Sequence, residues 1–595
     1  MHRLRTNKRT AWPSRFIFVD TETEEKWLDE NTKELSLRLG VGKFIDFRSS
    51  NRIHTQSICR FKDNNTFWDF VESHLKPKSK LIIIAHNWGF DAQILDAVTH
   101  IRNIGFKPRN ILETAQLSIW KYKRKSTYLE CLDNMNIFHS SLKKLGRDIG
   151  LPKLDLEEAQ ESDDRLLTYC ERDVDIMVRA WELWRKFCFD HDLGNFAPTV
   201  AGQALNTYRH RFMPSSIYIH GSADISRLER EAYFGGRVEC FRLGQFTAQD
   251  IHMLDVNSLY PYIMSSYPYP TKYIGQSGHI TIDELNRLLK THLAIAEIDI
   301  ETDEPAYPVR RDKRLIFPIG RFRTVLCGQE LAHALALEHV RKAYHVQVYE
   351  RDFIFEDYVR FFYQTRLNYR KEGNESFAFL CKLFLNSLYG KFGQKQDIWE
   401  DIEITDEPDW RNWQVWDFDN KQWLTYRQRE GIIQIKVGEK DAFNAFPAIA
   451  AHVTANARHY LWSLVDKIGQ EHVLYCDTDS LMVDAPRCEI ESRLPIGDQL
   501  GELKEEWRSS EVTINGCKDY VHDDKIKRKG IRLNARQVDD STFVQEQFRS
   551  LASALRDGET NRQIIRLVKK HLNREYYKGI LHPDGKVTPF ILWEF

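Results

Sequence analysis

The stretch that most constrains the fold is Val473-Leu474-Tyr475-Cys476-Asp477-Thr478-Asp479-Ser480-Leu481-Met482-Val483, where two apolar runs flank a pair of carboxylates one residue apart. Val, Leu and Tyr favour strands, whereas Asp and Thr favour turns because their side chains hydrogen-bond the local backbone. The pattern predicts a β-hairpin with acids at its turn. Ionised carboxylates crowded beside an apolar sheet repel each other and lose hydration, and a bound divalent cation offsets both effects. A surface turn rich in Asp and Thr would look the same in isolation, so the rest of the chain decides.

With 595 residues, 42% of them hydrophobic, the chain can bury several cores, and its length suggests about three or four domains. Lys and Arg number 85 against 86 Asp and Glu, so composition lends no support to a nucleic-acid partner. Any such binding must come from charge placement. Arg3 to Arg9, Lys121 to Lys125 and Lys525 to Lys529 form basic clusters, each of which taken singly reads as a solvated face. The ten cysteines include no C-x-x-C pair, which implies reduced thiols, no structural zinc and a cytoplasmic setting. The first 19 residues are basic and lack Asp and Glu, leaving an organellar transit segment as the second reading. Since no apolar run approaches the ~20 residues needed to span a bilayer, no membrane association is expected.

In the first third, Phe16 to Val19 is a short strand candidate ending on Asp20-Thr21-Glu22-Thr23. Carboxylates two apart on a strand point to one side. A second apolar strand, Leu81 to Ala85, leads into His86-Asn87-Trp88-Gly89-Phe90-Asp91, placing an acid just past a strand, and Tyr169-Cys170-Glu171-Arg172-Asp173 lies inside a helical segment running to about Phe187. Four acids on two strands and a helix can hold two divalent ions, the arrangement used in phosphodiester hydrolysis. Each acid also has an ordinary reading, as a helix cap, a turn residue or part of a charged helix face. Asp175 competes with Asp173 for the helical position.

Further on, Tyr233-Phe234-Gly235-Gly236 offers paired glycines that either admit a ligand close to the backbone or form a tight turn. Asp255-Val256-Asn257-Ser258-Leu259-Tyr260-Pro261 places one acid after an apolar strand, a partner for Asp477 and Asp479. Lys382, Asn386 and Tyr389 recur at i, i+4 and i+7, hence on one helix face, and suit a nucleoside triphosphate with Lys382 as the point charge for phosphate.

D-T-E, H-N-x-x-F-D and Y-x-x-x-D, in that order, resemble the three motifs of DnaQ-like 3′-5′ exonucleases in their polymerase-linked form. The resemblance implies Asp20, Glu22, Asp91 and Asp173 as metal ligands and Tyr169 as the residue positioning the attacking water. Thr23, Asn87 and Phe90 would grip a frayed single strand, and Lys153 would assist the reaction. D-x-x-S-L-Y-P, K-x-x-x-N-S-x-Y-G and Y-x-D-T-D-S resemble motifs A, B and C of family B DNA polymerases. That resemblance implies Asp255, Asp479 and the Val256 carbonyl as metal ligands, with Asp477 auxiliary. Tyr260 would lie under the sugar, Tyr389 against the base and Lys382 on the phosphates, with Arg370 or Lys371 as a second cation. Tyr233, Gly235, Gly236, Ser258, Ser387, Gly390, Thr478, Lys518 and Tyr520 would contact DNA. Two magnesium ions per site are implied, with manganese as a substitute.

The short segment before Asp20, the long intervals flanking motif B, the Y-x-G-G at Tyr233 and the K-x-Y at Lys518 to Tyr520 are similar to the protein-primed subgroup of phages, adenovirus-like viruses and linear plasmids. The implied fold is α/β plus α+β and multidomain, an RNase H-like exonuclease domain followed by a right-hand polymerase. The expected ranges are 1–190 exonuclease, 191–270 start of the palm, 271–355 an insertion for a terminal protein, 356–395 fingers, 396–428 a second insertion, 429–520 the rest of the palm and 521–595 thumb. The implied partners are template and primer DNA, deoxynucleoside triphosphates, a separate terminal protein and a single-strand-binding protein, acting on a monomer. A primer-dependent family B enzyme, a repair exonuclease with a vestigial polymerase half and a non-catalytic replication scaffold are the rivals.

Overall fold

The computed structural model describes residues 1–47, 53–114, 117–523 and 525–593. Three positions of the expected thumb range, 524, 594 and 595, lie outside the described residues.

The N-terminal part is built on a twisted sheet whose centre is three parallel strands, Arg15–Asp29, Lys80–Ala85 and Thr127–Asp133. Five of the six residues of Lys80–Ala85 are buried, as expected of a parallel strand covered on both faces. The strand bearing Asp20 runs 15 residues instead of stopping at Val19, because it continues as a long antiparallel hairpin with Thr32–Phe47. Its parallel neighbour pairs only with Arg15 to Phe18, so Asp20 and Glu22 stand just beyond the point where that neighbour turns away. Ligand sites in α/β sheets form at such carboxyl ends. The helix Asp163–Asp190 packs across this sheet and closes the site from above.

The expected palm is a seven-stranded antiparallel sheet in which Gly244–Val256 lies between Ser480–Asp484 and Leu503–Gly516. The expected hairpin is present as Val473–Asp477 and Ser480–Asp484, joined through Thr478 and Asp479. Thr478 takes a left-handed φ of 63°, which the tight two-residue connection requires. Behind the sheet runs the helix Pro447–Ile468, started by proline in its first turn and buried over most of its length.

Several expected boundaries need correction. The interval assigned to a first insertion forms one sheet from Tyr269–Ser277, Leu293–Thr302, Ile319–Cys327 and Val340–Asp352, but His2–Arg3, Tyr218–Ile219 and Ile591–Trp593 extend it. The second insertion runs to Asp441, not residue 428, since Ile432–Asp441 pairs along the whole of Lys395–Ile404. Its tryptophans form no core of their own. A single four-stranded layer has nothing to bury them against, so Trp423 is 61% exposed, while Trp410 inserts into the exonuclease lobe beside Trp120 and Tyr122. The range 521–595 is not one unit: Lys525–Arg528 completes the palm sheet, and Gln563–His571 pairs with Thr32 to Leu35 of the exonuclease sheet.

One buried ion pair ties these parts together. Arg458 on the palm helix donates to Glu330 through Nε (2.8 Å) and Nη2 (2.7 Å), and its Nη1 donates to the carbonyls of Phe234 (3.1 Å) and Gly235 (2.9 Å). Both side chains are 2% exposed or less. Removing one partner strands the other charge out of water, typically a loss of about 3–5 kcal/mol, whereas replacing both with apolar groups is far milder. Arg458→Met is therefore expected to lower the urea midpoint sharply, and Arg458→Met with Glu330→Met to recover most of it. A double variant as unstable as the single one would show that the pair's geometry, not its unpaired charge, sets the loss.

Candidate active sites

The first cluster gathers Asp20, Glu22, Asp91 and Asp173. Asp20 and Glu22 share one side of their strand, Asp91 comes from the helix Trp88–Ile94, and Asp173 comes from the crossing helix. Asp91 Oδ1 accepts a hydrogen bond from Thr21 (2.8 Å), and Lys153 is ion-paired to Asp173. The Lys153 ammonium also lies 4.7 Å from the centre of the Tyr169 ring. Asp175, by contrast, faces away and pairs with Lys43 at 2.6 Å.

Burial is the largest cause of the electrostatics here, and like charge adds to it. It raises Asp20 far above the usual carboxylate range, with Asp173, Asp91 and Glu22 adding repulsion. Glu22 is pushed up to about 7 by burial and then Asp173, and Asp91 to about 8 by burial, against the Thr21 hydrogen bond. Asp173 is also raised by burial, with Lys153 opposing, and its buried Oδ1 has no hydrogen-bond partner. An acceptor without a donor among acids that resist ionising together is what a divalent cation satisfies, so the residues fit such an ion. Cys170 was not foreseen. Its sulfur groups with Asp20 and Glu22, all three ligand atoms lying within 4.8 Å of one another. Burial holds that thiol well above its ordinary range, and it donates to the Asp20 carbonyl at 3.3 Å, so it serves as a neutral wall and not as an oxygen-type ligand.

A groove of about 480 Å³ opens beside this cluster, lined by Asn87, Phe90 and His139 and by Phe548 from the far end of the chain. Phe90 and Phe548 meet edge to face at 5.9 Å. Asn87 has a left-handed φ of 77° and donates its backbone N–H to Asp133 (2.9 Å). Thr23 is half-buried and lies outside the lining. Phe548 had no sequence signal, since nothing local connects it with Phe90.

The second cluster sits at the palm hairpin. Asp255 is in register with Ser480 on the adjacent strand, which brings it beside Asp479. The Val256 N–H donates to the Asp479 carbonyl (2.7 Å), fixing the two backbones together. Burial and then Asp479 push Asp255 up to about 7; burial and then Asp477 raise Asp479. Asp477 is differently placed. Its carboxylate accepts from Tyr475 (3.1 Å) and Thr478 (3.3 Å) and pairs with Lys518 (3.1 Å), so it is already compensated, whereas Asp255 and Asp479 are not. Glu506, the extra residue at a bulge opposite Met253 and Leu254, adds negative charge to both. It was not anticipated because a bulge leaves no mark in the side-chain pattern.

Around this pair the anticipated residues divide. Lys382 and Asn386 lie on the helix Glu375–Ser387 and line one cavity with Arg366 and Arg370. Tyr389 does not share their helix face: the helix ends at Ser387, and Tyr389, on a following 3-10 turn, stacks on Tyr260 with ring centres 4.7 Å apart. Ser387 is half-buried and lines the same cavity; Gly390 is exposed, and Lys371 is exposed outside the lining. Ser258, with a left-handed φ of 56°, lies 3.5 Å from Arg366 Nη1. Arg366 and Arg370, four apart on Glu356–Lys371, were legible as one basic face, yet only Arg370 was singled out.

Two readings are corrected. The neighbour that Gly236 admits is Thr478, whose Cγ2 would be 2.8 Å from a Cβ there, so this glycine seats the turn between Asp477 and Ser480; Gly235 faces open space, and Tyr233 instead packs on Gly393. The Arg237 carbonyl next to it accepts the Thr478 N–H at 2.7 Å. Tyr520 is 3% exposed in the layer beneath Tyr475 and Trp507, which leaves Lys518 as the accessible member of its motif.

An RNase H-like sheet with one carboxylate cluster, joined to an antiparallel palm with another, defines a right-hand polymerase fold carrying an exonuclease fold. Residues 153–423 match the family described as DNA polymerase type B, organellar and viral. The chain is similar to the "Probable DNA polymerase" of Neurospora intermedia (24% identity over 379 residues, 60% of this chain and 37% of that one). It is also similar to the "DNA-directed DNA polymerase" of Enterobacteria phage PRD1 (25% over 401 residues, 66% of each). Among solved structures, the phi29 DNA polymerase ternary complex with primer-template DNA and incoming nucleotide superposes with a TM-score of 0.64 at 16% identity, covering 95% of this chain and 100% of that one. Over residues 153–423 the chain is similar to the type B DNA polymerases, and it is similar to phage DNA polymerases as well. It spans about a third of the length of the first curated relatives it matches. Among the described residues no helix is long and apolar enough to cross a membrane.

The raised acids make a pH prediction. A carboxyl whose folded pKa lies above its unfolded value stabilises the fold at low pH, and that contribution is lost as pH rises through the folded pKa. With chelator present, the melting temperature is therefore expected to fall between about pH 5 and 8, across the values of Glu22 and Asp91. Asp20→Asn with Glu22→Gln should flatten that dependence, and added magnesium should reverse it in the native protein only. A melting temperature that climbs over this interval in chelator would remove carboxylate repulsion from the account.

Proposed function

We propose that the chain is a replicative DNA-directed DNA polymerase with 3′-5′ proofreading, initiated on a terminal protein. The observation that carries the synthesis reading is the uncompensated pair Asp255 and Asp479 beside a cavity faced by Lys382, Arg366 and Arg370. Asp255, Asp479 and the Val256 carbonyl would hold magnesium, as would Asp20, Glu22, Asp91 and Asp173 in the other site. Such ions share the negative charge that develops in phosphoryl transfer.

The protein's own groups do the rest. Lys382 and the two arginines hold the polyphosphate, and the Tyr260–Tyr389 stack bounds the sugar and base. Lys518 neutralises Asp477, so that Asp255 and Asp479 remain the acids free for the ion. In the exonuclease lobe Tyr169, held under the Lys153 ammonium, orients water, and Phe90 with Phe548 stacks the frayed bases, a sequence-tolerant grip. Template and primer DNA are the macromolecular substrates, with a single-strand-binding protein as an accessory, a monomer as the working unit and the host cytoplasm as its place.

Because the two acid sets are disjoint, Asp255→Ala or Asp479→Ala should abolish nucleotide incorporation, by at least about 10³-fold, while single-strand degradation persists. Asp20→Ala with Glu22→Ala should do the reverse. Loss of synthesis in a folded Asp20→Ala protein would merge the two sites and sink the assignment.

Sugar choice offers an independent check. An aromatic face below the ribose leaves no room for a 2′-hydroxyl, so Tyr260→Val should raise ribonucleotide insertion relative to deoxyribonucleotide insertion in steady-state assays. For priming, a covalent protein–deoxynucleoside monophosphate adduct should form when the chain, its terminal protein, magnesium and one labelled nucleotide are mixed. Efficient extension of RNA primers without any adduct would favour a primer-dependent enzyme.

A further inference from the structure

The cavity over the fingers helix is not bounded by the fingers alone. It measures about 940 Å³, and its opposite wall is the short helix Leu142–Asp148 of the exonuclease lobe, which contributes Lys144 and Arg147. Together with Arg366, Arg370 and Lys382 this places five cationic side chains around one space, against two lining carboxylates, Asp148 and Glu375. Asp148 is already ion-paired to Lys144.

We propose that Lys144 and Arg147 of the exonuclease lobe form the outer wall of the polyphosphate site, so that a nucleotide's di- or triphosphate is held between the two lobes.

Three observations carry this. First, the cations repel one another across the gap: Lys382 is held below its ordinary range by burial, then by Arg366 on its own lobe and Lys144 on the other. Bringing like charges together in a half-buried cavity is unfavourable unless a multivalent anion occupies it. Secondly, the space lies beside the polymerase acids, since Asp255 is within electrostatic reach of Lys382 and Arg366 reaches Ser258 in motif A. Thirdly, the volume lies within the range of small-molecule sites, roughly 300–1,000 Å³. Lys144 is carried on the ring of Phe379, 5.4 Å from its centre, which holds the ammonium at the rim. Arg147 is exposed, and its guanidinium fork suits phosphate oxygens.

This inference rests on the synthesis reading above and deepens it. The experiment is single-nucleotide insertion on an annealed primer-template by the full chain, comparing the native protein with Lys144→Ala, Arg147→Ala and the double variant. A second arm measures pyrophosphate as the substrate of the reverse reaction. The double variant is expected to raise KM for nucleotide about tenfold, the size of one lost charge-assisted contact, with kcat changed much less. A rise confined to the nucleotide arm identifies the incoming triphosphate as the ligand; a rise confined to the pyrophosphate arm identifies the departing product. Arg147→Lys, which keeps the charge but not the fork, should recover part of the affinity even if the alanine variants fold poorly, and single-strand degradation by the same preparations reports folding. Unchanged KM values in both arms would overturn the proposal, as would an equal loss of primer-template affinity without nucleotide, which would assign the wall to the DNA strand. A native protein that incorporates no nucleotide at all would instead remove the synthesis reading.

Discussion

Carboxylates held together out of water resist ionising together, and both sites are organised so that the backbone, not the side chains, keeps them in place. In the exonuclease lobe the strand Arg15–Asp29 outruns its parallel neighbour, so Asp20 and Glu22 are fixed by the hairpin while their open side receives Asp91 and Asp173. In the palm, the Val256 N–H bond to the Asp479 carbonyl and the left-handed Thr478 hold Asp479 beside Asp255. The repulsion is thereby held in place by the backbone, and a cation bound there would be stabilised by groups that need no rearrangement.

The palm turn is in turn supported from behind. Gly236 and the Arg237 carbonyl seat Thr478, and the preceding carbonyls of Phe234 and Gly235 are gripped by Arg458, itself locked to Glu330. Glu330 belongs to the helix Gly328–Ala336 in the interval between motifs A and B. The interval expected to hold a docking surface for a terminal protein therefore also braces the hairpin that carries Asp477 and Asp479. Strands from distant parts of the chain do comparable work elsewhere: Gln563–His571 extends the exonuclease sheet, and Trp410 of the second insertion seals the exonuclease core. The lobes are coupled through shared sheets and a shared apolar cluster.

Much of the chemistry was legible in order along the chain. The hairpin around Asp477 and Asp479, the buried run Leu81 to Ala85 and the charged stripe of Lys382 and Asn386 each follow from local pattern, because strand and helix periodicity depend on near neighbours. Tyr389 shows where local pattern ends: extrapolated helix spacing puts it beside Lys382, but the chain tightens after Ser387 and turns the ring onto Tyr260. Likewise Tyr520 reads as a surface contact in its motif and is in fact packed beneath Tyr475.

By itself, the sequence determined the identities of the acids and the order of the six motifs, and it placed Asp20 on a strand and Asp173 on a helix, since these depend on side-chain chemistry and short-range periodicity; Asp91, expected just past a strand, is carried instead on the helix Trp88–Ile94. Only the tertiary structure decided which acids are left uncompensated. Asp477 and Asp479 are alike in sequence, yet Lys518, brought in on the turn after the strand Leu503–Gly516, forms an ion pair with Asp477 and not with Asp479. The same holds for Glu506 at its bulge, Phe548 opposite Phe90, and Lys144 and Arg147 facing Lys382: each acts through space on a residue far away in the chain. Coulombic and packing energies fall with distance in three dimensions and take no account of separation along the sequence.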